Sequence, residues 1–155
     1  MKIAFLYSSG WWNTRLVGEY IAWILKDAWI QLDLIDVAVC LPENILDSYA
    51  QLIFAAPTYD HGILHEPFYR FLHTHKDRDL SKHGIAVIGL GDAKYDDQYT
   101  VESATLIESY INQQKWSLIT PSLRINKHPL GQLETLIKDW TKNYITALES
   151  QTTTW

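Results

Sequence analysis

The segment Ser8-Ser9-Gly10-Trp11-Trp12-Asn13-Thr14 contains residue types that proteins use to bind an anion. It lies between an apolar run at residues 3–7 and a stretch with helical periodicity. A turn that leads from a strand into a helix presents the first N–H groups of that helix, which have no partners within it, to a ligand. The serine, asparagine and threonine side chains can add hydrogen bonds, so the segment is a candidate phosphate-binding loop.

The same segment also has a plainer interpretation. It lacks the lysine of the G-x-x-x-x-G-K-[ST] nucleotide loop, and it does not match G-x-G-x-x-G. Asn13 or Thr14 could act as an ordinary helix N-cap, with the two serines in the turn before it. The loop alone therefore favours a phosphate site only slightly over a capped helix.

Apolar runs and helical stretches alternate along the chain. Strands are predicted at residues 3–7, 32–37, 52–56 and 85–90, and an interrupted strand at 117–125. Three of these runs are continuously apolar, which is typical of strands buried on both faces. Apolar residues at three- and four-residue spacing predict helices at 16–25, 68–72, 104–111 and 133–148, and residues 41–48 are predicted to hold a short helical turn. We therefore predict an α/β fold, a parallel sheet with helices on both faces and right-handed crossovers.

Such a sheet binds ligands at the carboxyl ends of its strands, beside a topological switch point. This rule brings three loops together, at residues 8–14, 57–66 and 91–99. The second and third loops each contain an aromatic residue, Tyr59 or Tyr95, and two facing aromatics can hold a flat ring by stacking. The alternative is that each tyrosine packs beneath its own loop.

The histidines give little reason to predict a metal. His61 and His65 lie four residues apart, but no third ligand is evident, so we predict no metal site. His61 is the histidine expected to lie closest to a functional site, because of its place in the second loop. His73 and His75 are expected to be solvated.

Composition restricts the possible functions. The chain has 155 residues, of which 47% are hydrophobic and 20% are charged. We therefore expect residues 1–149 to form one domain with its own core and residues 150–155 to form a loose tail. The net charge of −5 disfavours nucleic acid or an anionic membrane as the main partner. Cys40 is the only cysteine, which excludes an internal disulfide and suits a reducing compartment. The apolar stretch after Lys2 is too short for a signal peptide or a membrane span, so we expect a cytoplasmic protein.

Four motifs in this order resemble those of the flavodoxin family. Residues 1–14 resemble its Y-x-S-x-T-G-N-T phosphate loop, and residues 57–62 resemble P-T-W-N-x-G. Residues 89–95 resemble G-x-G-D-S-x-Y, and residues 123–125 resemble the late L-R-I strand. The resemblance covers nearly the whole chain and lacks the long-chain insertion, so it indicates a short-chain flavodoxin. It implies a doubly wound five-stranded parallel sheet in the order 2-1-3-4-5.

The resemblance also implies a site for FMN, formed by the three loops. Ser9, Asn13 and Thr14 match the family's phosphate-binding side chains, and Pro57 and Thr58 would lie along the ribityl chain. The expected binding residues of the first and second loops are Ser8, Ser9, Gly10, Trp11, Trp12, Asn13, Thr14, Pro57, Thr58, Tyr59, Asp60, His61 and Gly62.

The flavin ring would lie between two tyrosines. The resemblance implies that Tyr59 covers its inner face and that Tyr95 stacks on its outer face. Backbone groups of the third loop would line its pyrimidine edge. The expected binding residues of that loop are Leu90, Gly91, Asp92, Tyr95, Gln98 and Tyr99.

Carboxylates near the flavin would lower its reduction potential, because they disfavour the anionic reduced ring. The carboxylates in question are those of Asp60, Asp92, Asp96 and Asp97.

Three departures from the family pattern concern the loops. Trp11 stands where the family usually has a phosphate-binding threonine, and Trp12 stands where it has glycine. If that glycine requires a positive φ, Trp12 costs about 1–2 kcal/mol. The two indoles could cover the phosphate or contact a partner protein. Arg15 is expected to replace part of the hydrogen bonding that the missing threonine would supply. We therefore expect this chain to bind FMN more weakly than the family does, but not to lose binding. Asp60 replaces a glycine at which the family's peptide turns toward the flavin, which makes that turn costlier.

The resemblance implies a low-potential, FMN-binding electron carrier that shuttles single electrons between redox proteins docking near the flavin edge. Such a carrier needs no catalytic residue and no metal, because the flavin performs the redox chemistry, and we expect it to be a monomer. Two alternatives stay open. One is an FMN-dependent reductase of a small acceptor such as a quinone, and the other is an interaction module that has lost FMN and uses Trp11 and Trp12 as a contact patch.

Overall fold

A computed structural model describes residues 1–10, 12–39, 41–59, 62–92 and 101–152. Its five parallel strands are β1 (Lys2–Tyr7), β2 (Gln31–Asp36), β3 (Gln51–Tyr59), β5 (Gly84–Gly91) and β6 (Leu123–Asn126). They form a central sheet in the order β2-β1-β3-β5-β6. The expected order of five parallel strands is confirmed. A two-residue strand, β4 (Ile63–Leu64), pairs antiparallel with the end of β3 and was not predicted.

The central strands are buried on both faces, as their unbroken apolar sequences predict. β5 is buried from Gly84 to Leu90. The last strand is interrupted as predicted, because Leu118 forms an isolated bridge with Ile85 and regular pairing with β5 begins only at Leu123.

Helices cover both faces of the sheet. They are α1 (Asn13–Asp27), α2 (Glu66–Thr74), α3 (Glu102–Gln113) and α4 (Lys138–Thr152). Since side chains alternate along a strand, Ile3 and Phe5 of β1 pack with α1 and α4, whereas Ala4 and Leu6 pack with α2 and α3. Each face of the sheet therefore has its own apolar layer.

Shorter helical turns complete the fold. A 3-10 turn at Ile45–Ser48 confirms the turn predicted there, and a second lies at Pro129–Gln132. A π-helical turn at Leu133–Ile137 leads into α4. α4 continues to Thr152, three residues into the segment expected to be a loose tail, and Gln51 Nε2 donates to Gln151 Oε1 at 2.9 Å. Within the described ranges, no helix is long and apolar enough to cross a membrane.

The solvated state expected for His75 is wrong. Its side chain is buried, with its ring centroid 4.6 Å from that of Phe71. Burial lowers the pKa of His75, and the nearby charge of Arg78 lowers it further. His73, in contrast, is exposed as expected.

α3 packs closely on β5 near the carboxyl end of that strand. An added Cβ on Gly89 would lie 2.7 Å from the backbone nitrogen of Ala104 and 2.8 Å from Ser103 Oγ. Ser103 Oγ donates to the Ala56 carbonyl at 2.9 Å, and its backbone N–H donates to Thr58 Oγ1 at 3.0 Å. The start of α3 is therefore bonded to the end of β3.

The C-terminus of α1 offers a prediction about stability. Trp29 has a φ of 60° and is 92% exposed, and the N–H groups of Trp29 and Ile30 donate back to the last turn of the helix. Glycine is the favoured residue at this left-handed position. We expect Trp29→Gly to stabilise the chain by about 0.5–1 kcal/mol, because the Cβ penalty outweighs the extra chain entropy of glycine.

Thermal denaturation measures this effect. The control is Ala28→Gly at the neighbouring exposed residue, whose φ of −95° needs no glycine, and this change should lower the melting temperature. A lower melting temperature for Trp29→Gly would contradict the assignment of strain to Trp29.

Candidate functional site

The loops that follow β1 and β3 meet at the carboxyl edge of the sheet. Tyr7 is in register with Ala55, which is in register with Ile88 of β5. The Ser8 N–H donates to the Ala55 carbonyl at 3.2 Å, so the first loop is bonded directly to β3. The strand order thus places the first loop beside the end of β3.

The first loop contains two buried hydroxyl groups. Ser9 Oγ and Thr14 Oγ1 are both buried, and neither has a hydrogen-bond partner among the described residues. Buried polar atoms in folded proteins are nearly always paired. Two unpaired hydroxyls beside the first turn of α1, which contains no acidic residue, are a suitable arrangement of donors for an anion.

The interpretation of Asn13 or Thr14 as the N-cap is wrong. α1 begins at Asn13, and its N-cap is Trp12, with a φ of 65° and a ψ of −2°. Within the described part of the chain, no side chain caps this end of the helix. Trp12 therefore occupies the left-handed conformation that was anticipated for the family's glycine, and this costs about 1–2 kcal/mol.

Tyr59 reaches across to the first loop. The phenol oxygen lies so close to Gly10 that an added Cβ there would overlap it, so glycine is required for this approach. Burial raises the pKa of Tyr59, and the Gly10 backbone N–H beside the phenol opposes this rise.

Among the described histidines, His65 is the one that the structure brings into the site, a role that was not predicted from the sequence. Its Nδ1 lies 2.8 Å from Ser8 Oγ, and its ring packs edge-on against Tyr59 with centroids 4.6 Å apart. Burial lowers the pKa of His65, against the opposing effect of Asp36 and Glu66. The position of His65 in the second loop is the feature of the sequence that points to this role. His61, which was expected nearest to function, lies outside the described residues.

Arg15 is engaged on the outer side of the loop. Its guanidinium lies 5.2 Å from the centre of the Trp12 ring, and its Nε donates to Glu19 Oε1 at 3.0 Å. Its NH1 lies 3.4 Å from the Tyr7 hydroxyl. Since the Ser9 and Thr14 hydroxyls lack partners among the described residues, Arg15 does not bond either of them.

The other described residues of the predicted set lie along the ends of β3 and β5. Thr58 Oγ1 accepts from Ser103, Pro57 is in register with Leu90, and the Gly91 carbonyl accepts from the Lys127 N–H at 2.7 Å. Gly62 has a φ of 96° in the turn before β4, and Asp92 is half-buried. The remaining predicted residues lie outside the described ranges: Trp11, Asp60, His61, Tyr95, Asp96, Asp97, Gln98 and Tyr99.

Comparison with known proteins identifies the class to which this fold and loop belong. The family model described as Flavodoxin matches residues 6–140, so the chain belongs to the flavodoxin family. A curated relative, Probable flavodoxin 2 of Bacillus subtilis (strain 168), is 23% identical over 133 residues, which cover 86% of this chain and 87% of the relative. The resemblance noted in the sequence is confirmed, and the chain is a short-chain flavodoxin.

Solved structures show the same fold. Oxidised Flavodoxin 1 from Bacillus cereus has a TM-score of 0.81 at 19% identity, with 94% of this chain and 98% of that chain covered. The flavodoxin of Fusobacterium nucleatum, solved bound to flavin mononucleotide, has a TM-score of 0.77 at 15% identity, with 94% and 97% covered. At these identities, the structures establish the fold.

Proposed function

We propose that this chain binds FMN at the loops that follow β1, β3 and β5 and carries single electrons between redox proteins. The observation that carries the proposal is the pair of buried hydroxyls, Ser9 Oγ and Thr14 Oγ1, which lack partners among the described residues at the start of α1. A terminal phosphate supplies the acceptors that these donors need. Family membership supports the same cofactor.

The chain holds the phosphate with uncharged donors. The loop contains no lysine, and Arg15 is bonded to Glu19 instead. The Ser9 and Thr14 hydroxyls and the first N–H groups of α1 would bind the phosphate oxygens, where hydrogen bonds to a charged group are stronger than neutral ones. His65 orients the Ser8 hydroxyl from the second loop.

The second loop forms the wall beside the ring. Tyr59 packs against His65 and reaches the backbone of Gly10. Bound FMN supplies the redox chemistry. The chain's own residues position the ring and exclude water, with Tyr59 on the inner side and, as predicted from the sequence, Tyr95 on the outer side.

Electrostatics favour basic partners. The chain has a net charge of −5, and Asp92 lies half-buried at the end of β5. A negative surface steers positively charged proteins toward it. We therefore propose that basic redox proteins dock near the flavin edge, and that the protein acts in the cytoplasm, where a single cysteine remains reduced.

One observation favours the alternative of an interaction module without FMN. The Tyr59 phenol lies against Gly10 and occupies space beside a backbone N–H that a phosphate would use. The unpaired hydroxyls of the described loop residues Ser9 and Thr14 oppose this alternative, since a loop that had lost its ligand gains nothing by keeping them buried.

Titration with FMN and riboflavin, followed by flavin fluorescence, tests the proposal. We expect FMN to bind roughly 10²- to 10⁴-fold more tightly than riboflavin, because two hydrogen bonds to a charged phosphate contribute about 1.5–3 kcal/mol each. Equal affinities would contradict the role of the first loop, and no binding of either flavin would favour the interaction module. Steady oxidation of NAD(P)H by the FMN-loaded protein alone would favour a reductase.

A further inference from the structure

The outward face of α1 carries two exposed tryptophans with an ion pair between them. Trp12 is 70% exposed and Trp23 is 67% exposed, although large apolar side chains are usually buried. At 3.6 residues per turn, Glu19 and Trp23 lie about 40° apart around the helix, opposite the buried stripe of Val17, Ile21 and Leu25. Trp12 is the N-cap residue, so its place on this surface follows from its contact with the Arg15 guanidinium instead. We call Trp12, Arg15, Glu19 and Trp23 the α1 stripe.

Contacts within the stripe show that its members share one surface. The Arg15 guanidinium lies 5.2 Å from the centre of the Trp12 ring and donates to Glu19 at 3.0 Å. Tyr20 packs beside Trp23 with ring centroids 5.9 Å apart. Arg15 and Glu19 remain 42% and 56% exposed, so the pair is open to a partner.

The order of residue types along the stripe is self-complementary. We propose that α1 is the contact of a symmetric homodimer, in which two α1 helices pack antiparallel across a two-fold axis. Arg15 then faces Glu19 of the partner subunit, and Trp12 faces the partner subunit's Trp23. The midpoint between positions 15 and 19 and the midpoint between positions 12 and 23 lie only about half a residue apart along the helix, which is less than about 1 Å. A single two-fold axis can therefore bring both pairs together.

Charge favours a second copy over other occupants, and the available area sets how tightly it can bind. The stripe's own charges cancel, so it offers no net charge to select a basic or acidic protein, and the net charge of −5 opposes an anionic membrane. Four indoles would bury about 600–1,000 Å². A specific interface needs about 1,200–2,000 Å² in total, so flanking side chains such as Leu16 and Tyr20 must supply the rest. The dimer should therefore be weak and dependent on concentration, in contrast to the monomer expected from the sequence.

Sedimentation equilibrium of the FMN-saturated protein tests the proposal. We expect the mass to rise from 18.0 kDa toward twice that value as the concentration approaches roughly 100 µM. Trp23→Lys, which lies outside the proposed cofactor site, should weaken dimerisation at least tenfold, because tryptophan is often a dominant contact of an interface. The matched control is Trp29→Lys, because this exposed tryptophan follows α1 and has no place in the stripe; it should leave dimerisation unchanged.

A charge swap tests the antiparallel register. Arg15→Glu or Glu19→Arg alone places like charges opposite each other twice across the axis and should weaken dimerisation, whereas the double variant should restore it. The control is the same swap at Glu66 and Arg70, an exposed pair with the same spacing on α2, which should have no effect. A mass of 18.0 kDa at every concentration, or an unchanged dimer in Trp23→Lys, would overturn the proposal. Failure of the double variant to restore association would overturn the antiparallel register.

Discussion

Thr14→Val should raise the stability of the cofactor-free chain and weaken FMN binding at the same time. The Thr14 hydroxyl is buried, with no partner among the described residues, so its removal relieves a desolvation cost of about 1–3 kcal/mol. The same hydroxyl is proposed to donate to the phosphate, and its loss should reduce FMN affinity about ten- to hundredfold. Riboflavin affinity should not change. Thermal denaturation without ligand and titration with each flavin measure the two effects.

Thr141→Val is the matched control. Thr141 is equally buried, but its Oγ1 donates to the Ile137 carbonyl at 2.7 Å. The change should therefore give no gain in stability and no change in FMN affinity. If Thr14→Val left FMN affinity intact, the phosphate would not contact this hydroxyl, and the site would have to lie elsewhere.

Gly89→Ala should destabilise the fold by about 2–3 kcal/mol, in the upper part of the range for overpacked cores. The new methyl group would lie 2.6 Å from the Ala104 Cβ and 2.7 Å from the Ala104 backbone nitrogen, and backbone cannot move aside as a flexible side chain can. α3 must shift away from β5, which also strains the bond between Ser103 and Thr58. We expect the melting temperature to fall by about 5–10 °C.

Gly131→Ala controls for the general effect of adding a methyl group. An added Cβ at Gly131 meets no described atom within 4 Å, so its melting temperature should stay close to that of the wild type. A neutral Gly89→Ala variant would mean that α3 can slide on the sheet at little cost.

Long apolar segments were predictable from the sequence because burial on both faces leaves an unbroken apolar pattern. β3 and β5 follow this pattern, and the alternation with helices then requires a parallel sheet. The order of the strands came from the family motifs rather than from periodicity. β4 was not predicted, because a strand of two residues is too short to show an alternation of apolar and polar side chains.

At the candidate site, the N-cap of α1 and the role of His65 were not predicted correctly, because both depend on backbone conformation and on contacts between distant residues. Asn13 and Thr14 are common capping residues, but the chain places Trp12 in the left-handed conformation before them, which composition alone does not reveal. The role of His65 depends on its contact with Ser8, and the two residues are 57 positions apart in the sequence. The meeting of the two loops follows from the predicted sheet, but the pairing of β1 with β3 decides which side chain of the second loop reaches Ser8, and local sequence patterns do not show this.

The two outer strands of the sheet carry charges. Among the described strands, β2 pairs only with β1, and β6 pairs only with β5. β2 contains Asp33, held by the Tyr49 hydroxyl at 2.7 Å, and β6 contains Arg124, which bonds Glu108 at 2.8 Å. A further strand could join either edge only by dehydrating these groups. We therefore expect the sheet to resist edge-to-edge growth, so that concentrated protein should not polymerise through backbone hydrogen bonds.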